Sequence, residues 1–137
     1  MSLREEIKND ILSRAEEAVY QAHMIREIPG ITEEQVQTCV HKYVCMKFFL
    51  EPEECEGMNL NDMAELSLDR AIDMNLPMAA ESERATTCGT AGSAPMKIAL
   101  LLNALRKDIG VQVSPYKLGM VQDTKELGSL IYDALNA

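Results

Sequence analysis

The sequence has 137 residues, 47% of them apolar and 26% charged, the proportions of one compact domain rather than of a disordered chain. Its net charge of −9 argues against phosphate-backbone binding, which needs clustered cations and counterion release, so nucleic acid is not an expected ligand. The longest strongly apolar stretch, Ile98 to Leu105, falls well short of the ~20 residues that cross a bilayer, so no membrane partner is expected.

Residues Met1 to Glu6 hold no apolar signal core, which predicts a cytoplasmic protein whose four cysteines are thiols. From Arg4 to about Ile28, the residues Ile7, Ile11, Ala15, Ala18, Val19, Ala22 and Ile25 recur at three- and four-residue steps. Pro29-Gly30 ends the helix they predict. Thr32 and Gln35 have the spacing of a capping box, with Ile31 and Val36 placed as a hydrophobic staple, so a second helix starts near Glu33. It carries Val36, Val40, Tyr43 and Val44 on one side and ends near Leu50, because Pro52 disfavours a helical Glu51. The acidic tract Glu51 to Glu56 is expected to be a loop. Asn59 or Asn61 can cap a third helix through Met63, Ala64, Leu68, Ala71 and Ile72, ending before Asn75-Leu76-Pro77. From about 77 to 92 no apolar period is present, which predicts a long loop.

Ser93 can cap a fourth helix, Pro95 fits its first turn, and Gly110 is a natural stop. Val111 to Val113 is an extended connector, Ser114-Pro115 opens a short helical turn, and Asp123 to Glu126 has capping-box spacing before Leu127, Leu130 and Ile131. With no longer strand-like alternation, the expected fold is all-α: a single domain over 1–137, built as a small four-to-five-helix bundle. Charge is uneven, since ten acidic and two basic residues between Glu51 and Arg84 carry −8 of the total. Such a surface favours partners with basic docking faces through long-range attraction.

The run Asn103-Ala104-Leu105-Arg106-Lys107-Asp108-Ile109-Gly110-Val111-Gln112-Val113-Ser114-Pro115, followed by Asp123-Thr124-Lys125-Glu126-Leu127-Gly128-Ser129-Leu130-Ile131, resembles the second half of an acyl carrier protein. The likeness covers the stretch from Pro95 to Leu135 and keeps the order of helix, β-like connector, Pro turn and capped last helix. It implies an acyl-carrier-like bundle with an N-terminal extension. Such a protein is not an enzyme: it presents an acyl or aminoacyl thioester on a 4′-phosphopantetheine arm to acyl-transferring or ligase-type enzymes. In that family the arm sits on a Ser, usually in Asp-Ser-Leu, at a helix start whose unpaired N–H groups and positive dipole end suit a phosphodiester. Here Pro95 occupies the aligned position, and Pro accepts no arm. Ser93, two residues upstream, is the first candidate. Ser67 is the second, in Asp62-Met63-Ala64-Glu65-Leu66-Ser67-Leu68-Asp69, which is similar to the family's Asp-Leu-Gly-x-Asp-Ser-Leu-Asp run. Without an attached arm, the same bundle would be a carrier-derived scaffold or adaptor. The family's recognition helix is acidic, whereas Lys97, Arg106 and Lys107 make the corresponding helix mildly basic and the acidity lies over Glu51 to Glu83.

Plainer roles stand beside these. Ser93 as an ordinary N-cap is worth ~1 kcal/mol. His41 and Cys45 are one helical turn apart, but no Cys-x-x-Cys pair exists and Cys39 and Cys45 point to different faces. A closed zinc site would need Cys55 or Cys88 to fold back, so no metal is expected. Cys88 lies near a helix start that would lower its thiol pKa, yet the only histidines are His23 and His41, on other helices, so no cysteine catalysis is expected. Nine Met with no Trp point to an adaptable core or docking surface.

Overall fold

The computed structural model describes residues 3–73 and 93–136. They form α1 (Leu3–Glu27), α2 (Glu33–Phe48), a single 3-10 turn (Pro52–Cys55), α3 (Leu60–Asp73), α4 (Ala94–Ile109), α5 (Pro115–Met120) and α6 (Thr124–Leu135), with no strand among the described residues. The fold is thus the expected all-α bundle, with the short turn at Ser114-Pro115 completed into a helix. The acidic tract is more ordered than a loop, because Pro52–Cys55 winds into the 3-10 turn. The stretch 77–92, with Cys88, lies outside the described residues.

The central helix is α2. It packs against α1 on one side and α6 on the other, while α4 touches α1 and carries α3. The three- and four-residue period of α1 buries Ile11, Ala18, Ala22 and Ile25 but leaves Val19 partly exposed. All four apolar residues expected on one side of α2, Val36, Val40, Tyr43 and Val44, are buried. The seam with α6 is tight at Gly128, where a Cβ would lie 2.6 Å from the Cα of Gln37. Beside it, Gln37 Nε2 donates to Ser129 Oγ at 2.9 Å.

Local capping follows the sequence pattern. Thr32 Oγ1 accepts from Gln35 N at 3.2 Å and Gln35 Oε1 accepts from Thr32 N at 2.9 Å, the reciprocal bonds of a capping box. Asn59 Oδ1 accepts from Asp62 N at 2.7 Å, which selects Asn59 over Asn61 as the cap of α3. Asp123 Oδ1 accepts from Glu126 N at 2.8 Å, but Glu126 Oε2 accepts from Gln122 N at 3.0 Å instead of from Asp123 N, so only half of the box expected there forms. Gly110, at φ +78°, closes α4, and Arg26 Nη1 donates to the carbonyl of Ile109 at 2.8 Å, satisfying a helix-end acceptor from another element. Tyr43 Oη donates to Asp108 Oδ2 at 2.7 Å, so the buried phenol links α2 to α4 without losing its hydrogen bond.

Lys97 departs from expectation. Its side chain is fully buried, with Nζ 5.4 Å from the centre of the Phe48 ring. It therefore adds no charge to the surface of α4, whose accessible cations among these three are Arg106 and Lys107. No helix among the described residues is long and apolar enough to cross a membrane.

Candidate functional site

The head of α4 is assembled by local chemistry. Ser93 has the extended backbone of an N-cap, at φ −146° and ψ 156°, and its Oγ accepts from Met96 N at 3.4 Å. Pro95 sits in the first turn, where no backbone N–H is needed. That turn holds no acidic residue, so the positive end of the helix dipole is not neutralised by its own carboxylates. Ser93 is exposed. Beginning two residues after it, Pro95, Ile98, Ala99, Leu102, Asn103 and Arg106 run along one face of α4 at three- and four-residue steps. They line a groove of about 830 Å³ completed by Pro115, Leu118, Gly119 and Val121 of the α5 region and by Asn59 to Asn61 at the head of α3. The groove therefore begins in the first turn after an exposed capping hydroxyl that is not itself part of its lining.

Ser67 has a different setting. It lies inside α3, not at its start, and is 2% exposed. A bulky group on its hydroxyl would have to part the bundle.

A second polar constellation forms where α2 meets the 3-10 turn. Phe49 takes the left-handed conformation, φ 60° and ψ 38°, and the N–H of Leu50 returns to the Cys45 carbonyl at 2.9 Å, reversing the chain. Two arginines hold the reversed segment. Arg14 donates to Glu51 Oε1 at 2.9 Å and to the Leu50 carbonyl at 3.3 Å, and Arg70 donates to the Phe49 carbonyl at 3.0 Å and pairs with Glu54. The Arg70 hydrogen bond, then the bond to the Glu51 backbone, holds the Glu54 carboxyl below its usual range. The result returns Cys55 to α2, with its Sγ 3.1 Å from Cys45 Sγ. His41 Nε2 is 3.7 Å from Cys45 Sγ and 3.8 Å from Cys55 Sγ.

Both thiols are buried. Burial, and then the hydrogen bond to Cys55, pushes the Cys45 thiol far above the ordinary range; burial also raises Cys55 and Cys39. As free thiols they are protonated at neutral pH and are weak nucleophiles. The imidazole is oriented by Thr124 Oγ1, 2.9 Å from Nδ1, and by the Pro52 carbonyl, 3.1 Å from Nε2. A carbonyl only accepts, so without a metal Nε2 carries the ring proton and Nδ1 accepts from the Thr124 hydroxyl.

Fold and site together define a small all-α bundle with an exposed capping serine at the head of a grooved helix. No family profile, curated protein or solved structure matches this chain. Sequence reasoning found Ser93 at its helix start and the pairing of His41 with Cys45. It did not find the return of Cys55. The signal for it was present in the one-turn spacing of His41 and Cys45 followed by a Pro-initiated acidic turn ending in Cys55.

Proposed function

We propose that this protein is an acyl or aminoacyl carrier-like protein in which Ser93 bears a 4′-phosphopantetheine arm. The observation that carries the reading is an exposed capping Ser93 at the head of the helix whose following turns line an open groove. A phosphodiester on Ser93 would meet the positive end of a 16-residue helix, whose first turn has no competing carboxylate. The arm and its thioester-linked group could then lie against Ile98, Ala99, Leu102 and Leu118. The apolar lining suits an acyl chain, and Asn103 and Arg106 at the far end supply polar contacts.

In this reading the acidic surface around Glu51, Glu53 and Glu56, all exposed, steers the protein to acyl-transferring or ligase-type enzymes with basic docking faces. The chemistry is the partners' own; the carrier supplies attachment, shelter and delivery. A second reading, a carrier-derived scaffold without prosthetic group, draws on Pro95 at the family's serine position and on a Ser93 side chain already engaged with Met96 N. The two readings separate on intact mass after incubation with coenzyme A and a broad-specificity phosphopantetheinyl transferase. One arm mapped to the peptide containing Ser93 supports the carrier. An unmodified chain beside a modified control carrier supports the scaffold.

A further inference from the structure

Among the described residues, His41, Cys45 and Cys55 bring three metal-ligand atoms within 4.8 Å of one another. From the three separations, a point equidistant from Nε2 and the two Sγ atoms lies about 2.1 Å from each, close to the ~2.0–2.3 Å of zinc–nitrogen and zinc–sulfur bonds. We propose that His41 Nε2, Cys45 Sγ and Cys55 Sγ bind a zinc ion that ties the Pro52–Cys55 turn to α2. This site is separate from Ser93 and stands whether or not that serine carries an arm.

Four features argue for it. Two thiolates and an imidazole form a soft donor set that selects zinc over magnesium or calcium. The two thiolates cancel the charge of the ion, so the filled site adds no net charge to a buried position. Its orienting contact is already in place: when Nε2 binds the metal, the ring keeps its single proton on Nδ1 and donates it to Thr124 Oγ1, 2.9 Å away. The fourth position also has a source, because the Pro52 carbonyl lies 3.1 Å from Nε2 and 3.8 Å from Cys55 Sγ. His41 and Pro52 line an open surface cavity of about 540 Å³ through which water could fill that position instead. Binding is a plain exchange in which Cys45 and Cys55 each give up a thiol proton to solvent and gain a sulfur–metal bond.

Cys39 supplies the internal control. It is buried on the same helix, two residues before His41, and is not part of the group. The test begins with elemental analysis of the full chain purified under reducing conditions with zinc in the growth medium. It continues with titration of the metal-free wild type by Co²⁺, followed through its thiolate-to-metal charge-transfer band. The expected result is one zinc per chain, a saturable Co²⁺ spectrum with sulfur character, loss of both in Cys45→Ser and Cys55→Ser, and retention of both in Cys39→Ser. Thr124→Val is expected to weaken zinc about tenfold while leaving the stoichiometry intact. Because the Co²⁺ titration is read on the wild type, variants that fail to fold do not shield the proposal. It is overturned by a reduced wild type that binds neither metal, by a Cys45–Cys55 disulfide forming in its place, or by equal loss of zinc in Cys39→Ser.

Discussion

The head of α4 and the corner between α2 and the 3-10 turn are built in opposite ways. Ser93, Met96 and the groove face of α4 lie within a few turns of one helix, are open to solvent, and owe their placement to cap chemistry and helical period. His41, Cys45 and Cys55 come from two elements, are largely buried, and converge because a left-handed residue reverses the chain and arginines from α1 and α3 hold it there. A region made by local rules can carry a modified, mobile group without disturbing the core. One made by convergence cannot be altered without moving several elements, which suits it to a fixed structural role.

Substitutions that separate the two regions sharpen this contrast. The largest effect is expected at Leu105, fully buried in the core that both regions share. Leu105→Ala should cost about 2–5 kcal/mol in urea unfolding. A change well under 1 kcal/mol would mean that α4 is not packed as described. Gly128→Val should come next, at about 1–3 kcal/mol, since its side chain would meet the backbone at Gln37 and push α6 from α2. By fluorescence or amide exchange it should loosen the α2–α6 side, while the head of α4 keeps its protection.

Ser93→Ala acts on the other region alone. Loss of the cap should lower stability by about 1 kcal/mol, and Ser93→Asp should restore it, because Asp also caps. Any arm attachment is expected to vanish in both. The smallest effect concerns acid. Glu54 is favoured in its ionised form in the fold, so its contribution is present above the unfolded carboxylate range, near 4.5, and is lost as pH falls through the depressed folded value. Glu54→Gln should therefore reduce the difference in unfolding midpoint between pH 7 and pH 3 and leave α4 untouched. An unchanged acid dependence would mean that the Arg70 pair does not hold the corner.

The same contrast explains what could be read from residues alone. Thr32, Asp123 and Gly110 were legible, and the cap of α3 was narrowed to Asn59 or Asn61, because each cap is decided within about four residues, and the all-α fold follows from the periods between them. Ser93 was legible for the same reason. The approach of Cys55 to Cys45 was not, because it depends on a left-handed Phe49, a conformation rare outside glycine, and on Arg14 and Arg70, which reach the segment from 37 and 16 residues away. Lys97 was misplaced by a related limit: a charged side chain reads as surface, yet packing of α4 puts its stem in the core and its ammonium near Phe48.

The most direct measurement is the intact mass of wild-type protein and of Ser93→Ala, incubated side by side with coenzyme A and a phosphopantetheinyl transferase active on a control carrier. The account predicts a gain of one arm on the wild type and none on the variant, with both chains helical by circular dichroism. An unmodified wild type, or an equal gain on Ser93→Ala, would contradict it.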